Sequence, residues 1–201
     1  MLTNLCCMDF TPRQIEIIQA ATKLIGEKGI QNMTTKHLAE EIGFSEPALY
    51  RHFKGKTEIL VSVLEYFREQ MRNSLAPLLQ QQKTGMDKIK QIVEFQFELF
   101  TKNPAIIMVI FAETSFQYDK LLSSTVNRLL IQKKQMVSRI IEEGMKDGSI
   151  RADVDAEQLM SIILGSMRFT VLQWRMSKFG FDLNKAGLNL CNALNLLLKS
   201  N

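Results

Sequence analysis

Residues 34–60 read TTKHLAEEIGFSEPALYRHFKGKTEIL, and two very short helical segments stand back to back in them. Thr34 or Thr35 caps the first, residues 36–42, and Gly43-Phe44 breaks it. Ser45 caps the second, residues 46–53, where Pro47 is tolerated because first-turn N–H groups have no intrahelical acceptor. Gly55 closes it. A lone helix shorter than about 12 residues is marginal in water, so both segments need tertiary packing to exist. Leu38, Ile42, Leu49 and Phe53 supply a shared inner face, and Ala39 is small enough for the two helices to cross closely. Ser45, Glu46, Pro47, Ala48, Arg51 and His52 then point outward. Two short helices joined by a tight glycine-containing turn are the helix-turn-helix plan, whose second helix enters the major groove of DNA.

Around this stretch the chain reads as helix throughout, because three-and-four spacing of apolar residues recurs and alternating runs are scarce. Upstream, Thr11, Pro12 and Gln14 make a capping box with proline at the first helical position, Phe10 and Ile15 are placed as a hydrophobic staple, and Gly29 ends a helix over 12–28. Ile15, Ile18, Thr22 and Ile25 line its inner face. Downstream, a long helix from Lys56 carries Leu60, Val63, Leu64, Phe67, Met71 and Leu78 on one side, with Pro77 expected to bend or end it. Further helices are expected at 86–101, 104–115, 118–146, 156–178 and 183–199. Asp155 caps the fourth of these, with Gln158 as box partner, and Leu159, Ile162, Ile163, Met167, Thr170 and Trp174 are expected inside. In the last helix Leu183, Leu190 and Leu197 recur every seven residues, a seam that calls for a partner helix.

The chain's 201 residues suit one domain or two small ones with a real core, and its 46% hydrophobic and 23% charged content excludes disordered and fibrous classes. The longest run without a polar side chain is only residues 105–112, far short of the roughly 20 needed to span a bilayer. No membrane partner is expected. The first ten residues lack the cationic start and apolar middle of an export signal, so the protein is expected in the cytoplasm. Cys6, Cys7 and Cys191 form neither an even disulfide set nor a zinc spacing, as suits a reducing compartment. Net charge is +4, from 25 basic and 21 acidic residues. That excess is compatible with an acidic partner, but only the placement of charge can establish one.

The pattern Thr35, Leu38-Ala39, Ile42-Gly43-Phe44-Ser45, Leu49-Tyr50, His52-Phe53, Lys56 and Ile59-Leu60, preceded by Ala20-Ala21 and Gly29, resembles the DNA-binding domain of the TetR family of one-component transcriptional repressors. The resemblance implies an all-α fold of about nine helices. Residues 1–55 would be a three-helix helix-turn-helix domain, and residues 56–201 a helical bundle for effector binding and dimerisation. It also implies that Tyr50 and His52 contact DNA phosphates, to which a phenol and an imidazole N–H can donate. Thr35, Lys36 and Lys56 would add contacts of the same kind near helix N-termini that favour anions, and Ser45 either joins them or only caps. Base reading falls to Glu46, Pro47, Ala48 and Arg51: Arg51 can fork onto guanine, Glu46 can accept from a cytosine amino group, and Pro47 or Ala48 can touch a thymine methyl. For Glu46 a first-turn carboxylate that merely favours the helix dipole is an equally physical reading.

The expected partners are therefore a palindromic double-stranded DNA operator, a second copy of the chain and a small hydrophobic effector. For the dimer interface the last two helices offer Leu159, Ile163, Leu183, Leu190, Leu194 and Leu197. Phe67, Met71, Phe95, Phe100, Met108, Phe111, Met136, Met167 and Trp174 read either as ordinary core or as the lining of an apolar effector cavity. No catalytic residue, metal ligand set or cofactor is expected. Both histidines, His37 and His52, lie in the DNA-binding part, which leaves the later helices no imidazole for general-base work. Gly55-Lys56-Thr57 imitates the end of a phosphate-binding loop, but Tyr50 stands where that motif needs glycine. An all-α carrier of hydrophobic ligands is the alternative outside DNA binding.

Overall fold

The computed structural model describes residues 10–111 and 119–199. Among these residues the chain is all-α, with nine helices and no strand. They are α1 (Pro12–Lys28), α2 (Thr35–Glu41), α3 (Glu46–Tyr50), α4 (Lys56–Leu79), α5 (Gly85–Lys102), α6 (Pro104–Ile110), α7 (Lys120–Asp147), α8 (Ala156–Met176) and α9 (Leu183–Leu198). The end of the helix expected at 104–115, and Cys6 and Cys7, lie outside the described residues. The chain forms two compact units. The described residues up to Arg72 belong with those of Asn103–Leu129, and Asn73–Lys102 belong with the described residues from Leu130 onward.

In the first unit, α1 begins as its sequence dictates: Thr11 Oγ1 accepts from the Gln14 N–H, and Gln14 Oε1 accepts from the Thr11 N–H. Its buried face is wider than the expected stripe and includes Ile17, Ile18, Ala21, Thr22, Leu24 and Ile25. The Thr22 hydroxyl donates back to Ile18 O at 2.8 Å, so no polar group is left wanting on that face. Leu38, Leu49, Phe53, Ile59 and Val63 join the same core and are all at most 3% exposed. Each such side chain contributes about 1.5–3 kcal/mol on burial, enough to hold short helices whose own backbone is marginal.

Two polar ties bind α4 to α7 within this unit. Asp119 caps α7, accepting the N–H groups of Leu121 and Leu122 at 3.0 Å, while its other oxygen accepts from Thr57 Oγ1 at 2.7 Å in the first turn of α4. Two helical turns further along α4, the buried Glu65 takes Arg68 Nε at 2.8 Å and a second bond from Arg128 on α7. A carboxylate 3% exposed persists only because both of its oxygens are paired. Pro77 does not stop α4: the helix runs on to Leu79, so the missing N–H falls within its last turn.

In the second unit α9 lies against α5, where a Cβ on Gly187 would come within 2.7 Å of Phe97 Cδ2. Glycine there allows the two backbones to approach. Asp155 caps α8 and Asp182 caps α9 through first-turn N–H groups. Between these helices Lys178 and Phe179 both adopt positive φ, 54° and 63°, a conformation that costs ordinary residues energy. Phe179 meets the Trp174 ring edge-on at 4.8 Å, and Trp174 Nε1 donates to Phe181 O at 2.8 Å. These contacts offset the strain and end α8 at Met176, two residues before the expected limit.

Of the expected seven-residue seam of α9, only Leu183 is fully buried within the single chain. Leu183 is buried, Leu190 is half-buried and Leu197 is 60% exposed. A straight helix drifts about 20° per heptad, and the core instead follows Leu183, Gly187, Cys191, Leu194 and Leu198. Ile162, expected inside α8, is likewise on the surface at 47%.

Asp119→Ala removes a helix cap together with the tie to Thr57, so thermal unfolding should show a loss of about 1 kcal/mol, or roughly 2–4 °C in Tm for a chain of this size. The bonds from Leu122 and Thr57 hold the Asp119 carboxyl below the usual range. Its stabilisation is therefore present above the unfolded-state pKa and lost as pH falls through the folded one. Melting curves of wild type and Asp119→Asn should thus begin to approach one another as the pH falls below about 4 and meet only below the lowered folded-state pKa.

Candidate nucleic-acid interface

The helix-turn-helix is built by α2, the turn at residues 42–44 and α3. Thr34 Oγ1 caps α2 by accepting from the His37 N–H, and Ser45 Oγ caps α3 by accepting from the Ala48 N–H. Gly43, at φ +68°, makes the turn possible, and the Phe44 N–H returns to Ala39 O at 2.8 Å. Only residues 46–50 of the expected 46–53 are α-helical. The next turn tightens, with Arg51 N–H donating to Ala48 O and His52 N–H to Leu49 O. Leu38, Ala39, Leu49 and Phe53 are buried and Ile42 is half-buried, as the inner face requires.

On the outer side Ser45, Pro47, Tyr50 and Arg51 are exposed, and Glu46, Ala48 and His52 are partly so. Tyr50 is 48% exposed, unusual for so large an aromatic side chain. Lys36 is exposed on the first turn of α2. Thr35 Oγ1, half-buried beside it, donates to Glu46 Oε1 at 2.6 Å. Tyr50 OH donates to the same oxygen at 3.4 Å. Lys56 serves the fold: its ammonium donates to Ile30 O at 3.0 Å, and burial pushes its pKa down. His37 is turned to a loop carbonyl, Asn32 O, at 3.1 Å.

The residue pattern does not point to one further cation at this face. The Arg13 guanidinium lies 3.8 Å over the Phe44 ring, Phe44 stacks on His52 at 6.4 Å, and Gln14 Nε2 donates to His52 O at 3.4 Å. The first turn of α1 thus places a guanidinium, itself paired with Glu16, on Phe44 beside His52. Nothing in the linear pattern points to Arg13 at this face, because besides its pair with Glu16 one turn on, its contact is with Phe44, 31 positions away.

The expected effector residues fall in both units. Phe67, Met71, Met108 and Phe111 are partly buried in the first, where Phe67 and Met108 pack on the head's core. In the second, Phe100, Met167 and Trp174 are buried, whereas Phe95 and Met136 are partly so. An open cleft of about 320 Å³ in the second unit is lined by Met136 together with Leu79, Lys88, Gln132, Arg139 and Glu143 among others. Its walls mix apolar Leu79, Met136 and Ile140 with charged and amide side chains, and Lys88 is paired with Glu143 at 2.7 Å. Of the expected interface residues, Leu159, Ile163, Leu183 and Leu194 are at most 2% exposed within the single chain, and Leu197 is on the surface. The apolar residues on the outer faces of α8 and α9 also include Ile162, Phe169, Met176, Leu188 and Leu196.

An exposed short helix seated on a buried hydrophobic face defines a helix-turn-helix DNA-binding protein. The family model described as "Bacterial regulatory proteins, tetR family" matches residues 17–63, and the one described as "YsiA-like protein, C-terminal region" matches residues 63–199. The chain belongs to the TetR family of bacterial transcriptional regulators. It is 24% identical over 172 residues to the fatty acid metabolism regulator protein of Bacillus subtilis, covering 86% of this chain and 88% of that one. It is also 24% identical over 173 residues to the nucleoid occlusion factor SlmA of Photobacterium profundum, covering 85% and 88%. Among solved structures, FadR of Bacillus subtilis in complex with stearoyl-CoA shares the fold with a TM-score of 0.81 at 23% identity, covering 90% of this chain and 96% of that one. The fatty acid degradation regulator FadR of Bacillus halodurans also aligns with a TM-score of 0.81, at 19% identity over 92% and 95%.

Arg51→Ala should lower discrimination between DNA sequences by about 1–3 kcal/mol while sparing most non-specific affinity. Tyr50→Phe should weaken binding to all duplexes alike. Gel shifts across a salt series separate the two, and unchanged sequence preference in Arg51→Ala would remove it from the base readers.

Proposed function

We propose that this protein is a one-component transcriptional repressor that docks as a homodimer on a palindromic operator and is released by a small hydrophobic effector. The observation that carries the reading is the outer face of α3 and of the turn that follows it, where Pro47 and Arg51 stand free of the core with Tyr50 and His52 beside them. Arg51, Pro47 and Ala48 read base edges, while Thr35, Lys36, Ser45, Tyr50 and His52 touch phosphates, with Arg13 as a further cation. Lys56 contributes by holding the loop at Ile30 in place. Its place of action is the cytoplasm, where the operator is.

A repressor of this kind needs two reading heads about 34–36 Å apart, hence a two-fold axis. The surface stripe of α8, formed by Ile162, Phe169 and Met176, supports a second copy as its cover. Gly165 sits in that stripe with open space above it, which favours close helix approach. Leu188, Leu196 and Leu197 extend the apolar surface on α9. An effector that binds better to the wrongly spaced dimer shifts the population away from the DNA-competent state. A long-chain acyl-CoA is the first compound to test, on the example of the stearoyl-CoA complex of Bacillus subtilis FadR.

Selection from a random-sequence duplex pool should return an inverted repeat, and stearoyl-CoA should abolish its gel shift. Retention of random duplexes without any consensus would overturn operator recognition, and a shift unmoved by stearoyl-CoA would exclude that effector. Phe169→Glu should sediment as a monomer and lose operator binding. A Phe169→Glu chain that stays dimeric would place the interface on other helices.

A further inference from the structure

Glu46 sits where a base reader was expected, yet its carboxylate is already occupied. Glu46 Oε1 accepts from Thr35 Oγ1 at 2.6 Å and from Tyr50 OH at 3.4 Å, and the two hydroxyl oxygens are themselves 3.4 Å apart. These are two of the hydroxyls that the DNA-binding reading assigns to phosphates, and the inference rests on that reading. A hydroxyl has one proton to donate, and an ionised carboxylate only accepts. A proton given to Glu46 is unavailable to a phosphate oxygen, and the anionic carboxylate beside it repels the phosphate.

We propose that Glu46 is a specificity-determining residue. In the free protein it stands in for a phosphate oxygen on Thr35 and Tyr50, so every duplex must displace it whatever its sequence. Once displaced, the carboxylate lies on the first turn of α3 and needs a new donor. The exocyclic amino groups of cytosine and adenine present donors in the major groove, whereas guanine and thymine present acceptors there. A site with cytosine or adenine on the strand facing the carboxylate recovers the lost bonds, and a site with guanine or thymine there does not. Glu46 therefore lowers non-specific affinity more than operator affinity, and selectivity comes from that difference.

The test compares wild type, Glu46→Ala and Glu46→Gln, each verified by a cooperative thermal transition, on a mixed-sequence 30-base-pair duplex and on the duplex selected by wild type. Glu46→Ala should bind the mixed duplex about tenfold more tightly, the effect of freeing one charge-assisted hydrogen bond. Glu46→Gln, which keeps an acceptor without the charge, should fall between. Repeated selection with Glu46→Ala should lose a cytosine or adenine preference at one position in each half-site. If Glu46→Ala and Glu46→Gln bind the mixed duplex no better than wild type, Glu46 only supports the helix and the inference fails. Wild type that binds no duplex at low salt would instead overturn the DNA-binding reading itself.

Discussion

Neither α2, with seven residues, nor α3, with five, is long enough to be helical by its own backbone hydrogen bonds. Their existence depends on the apolar contact made by Leu38, Leu49 and Phe53 with the core of the first unit, to which Ile17, Ile18 and Ile59 also belong. Every functional property of the head follows from that burial. It consumes one face of each short helix and leaves the opposite face exposed, and it holds the hydroxyls of Thr35 and Tyr50 near each other across the turn. A helix that owed its stability to length would be free to rotate or slide, whereas one that owes it to two or three buried side chains has a single register.

The same unit carries a chain of polar ties that a core of aliphatic groups alone would not supply. Asp119 joins the start of α7 to the start of α4, and Glu65 joins the two helices again further along. Both are buried or partly buried acceptors with their oxygens satisfied, so they add directionality where hydrophobic contact has none. The first turn of α4, which follows the reading helix by six residues, is thereby held in a defined relation to α7.

Much of the fold was legible in the sequence. The limits of α1, those of α2 to within one residue, the caps at Thr11, Thr34, Ser45 and Asp155, and the identity of the inner face of the head follow from local chemistry: a side-chain oxygen two or three residues ahead of a backbone N–H, a proline where no donor is needed, a glycine at positive φ. Leu183, Leu190 and Leu197 share one spacing yet run from buried to 60% exposed, because an apolar side chain obeys the same spacing rule whether it faces its own core or the surface. Ile162 and Ile163 are adjacent and chemically identical, yet one is on the surface and the other inside.

What the sequence by itself determined is the class of protein, since helix signals and the residues of the turn are set by interactions within four or five positions. Only the tertiary structure decided what the polar side chains do. Glu46 is bonded to Thr35 across eleven positions, Arg13 to Phe44 across thirty-one, and Lys56 to Ile30 across twenty-six. Such pairings depend on how elements cross in space, and a hydrogen bond or a stacked cation leaves no periodic mark in the chain that makes it.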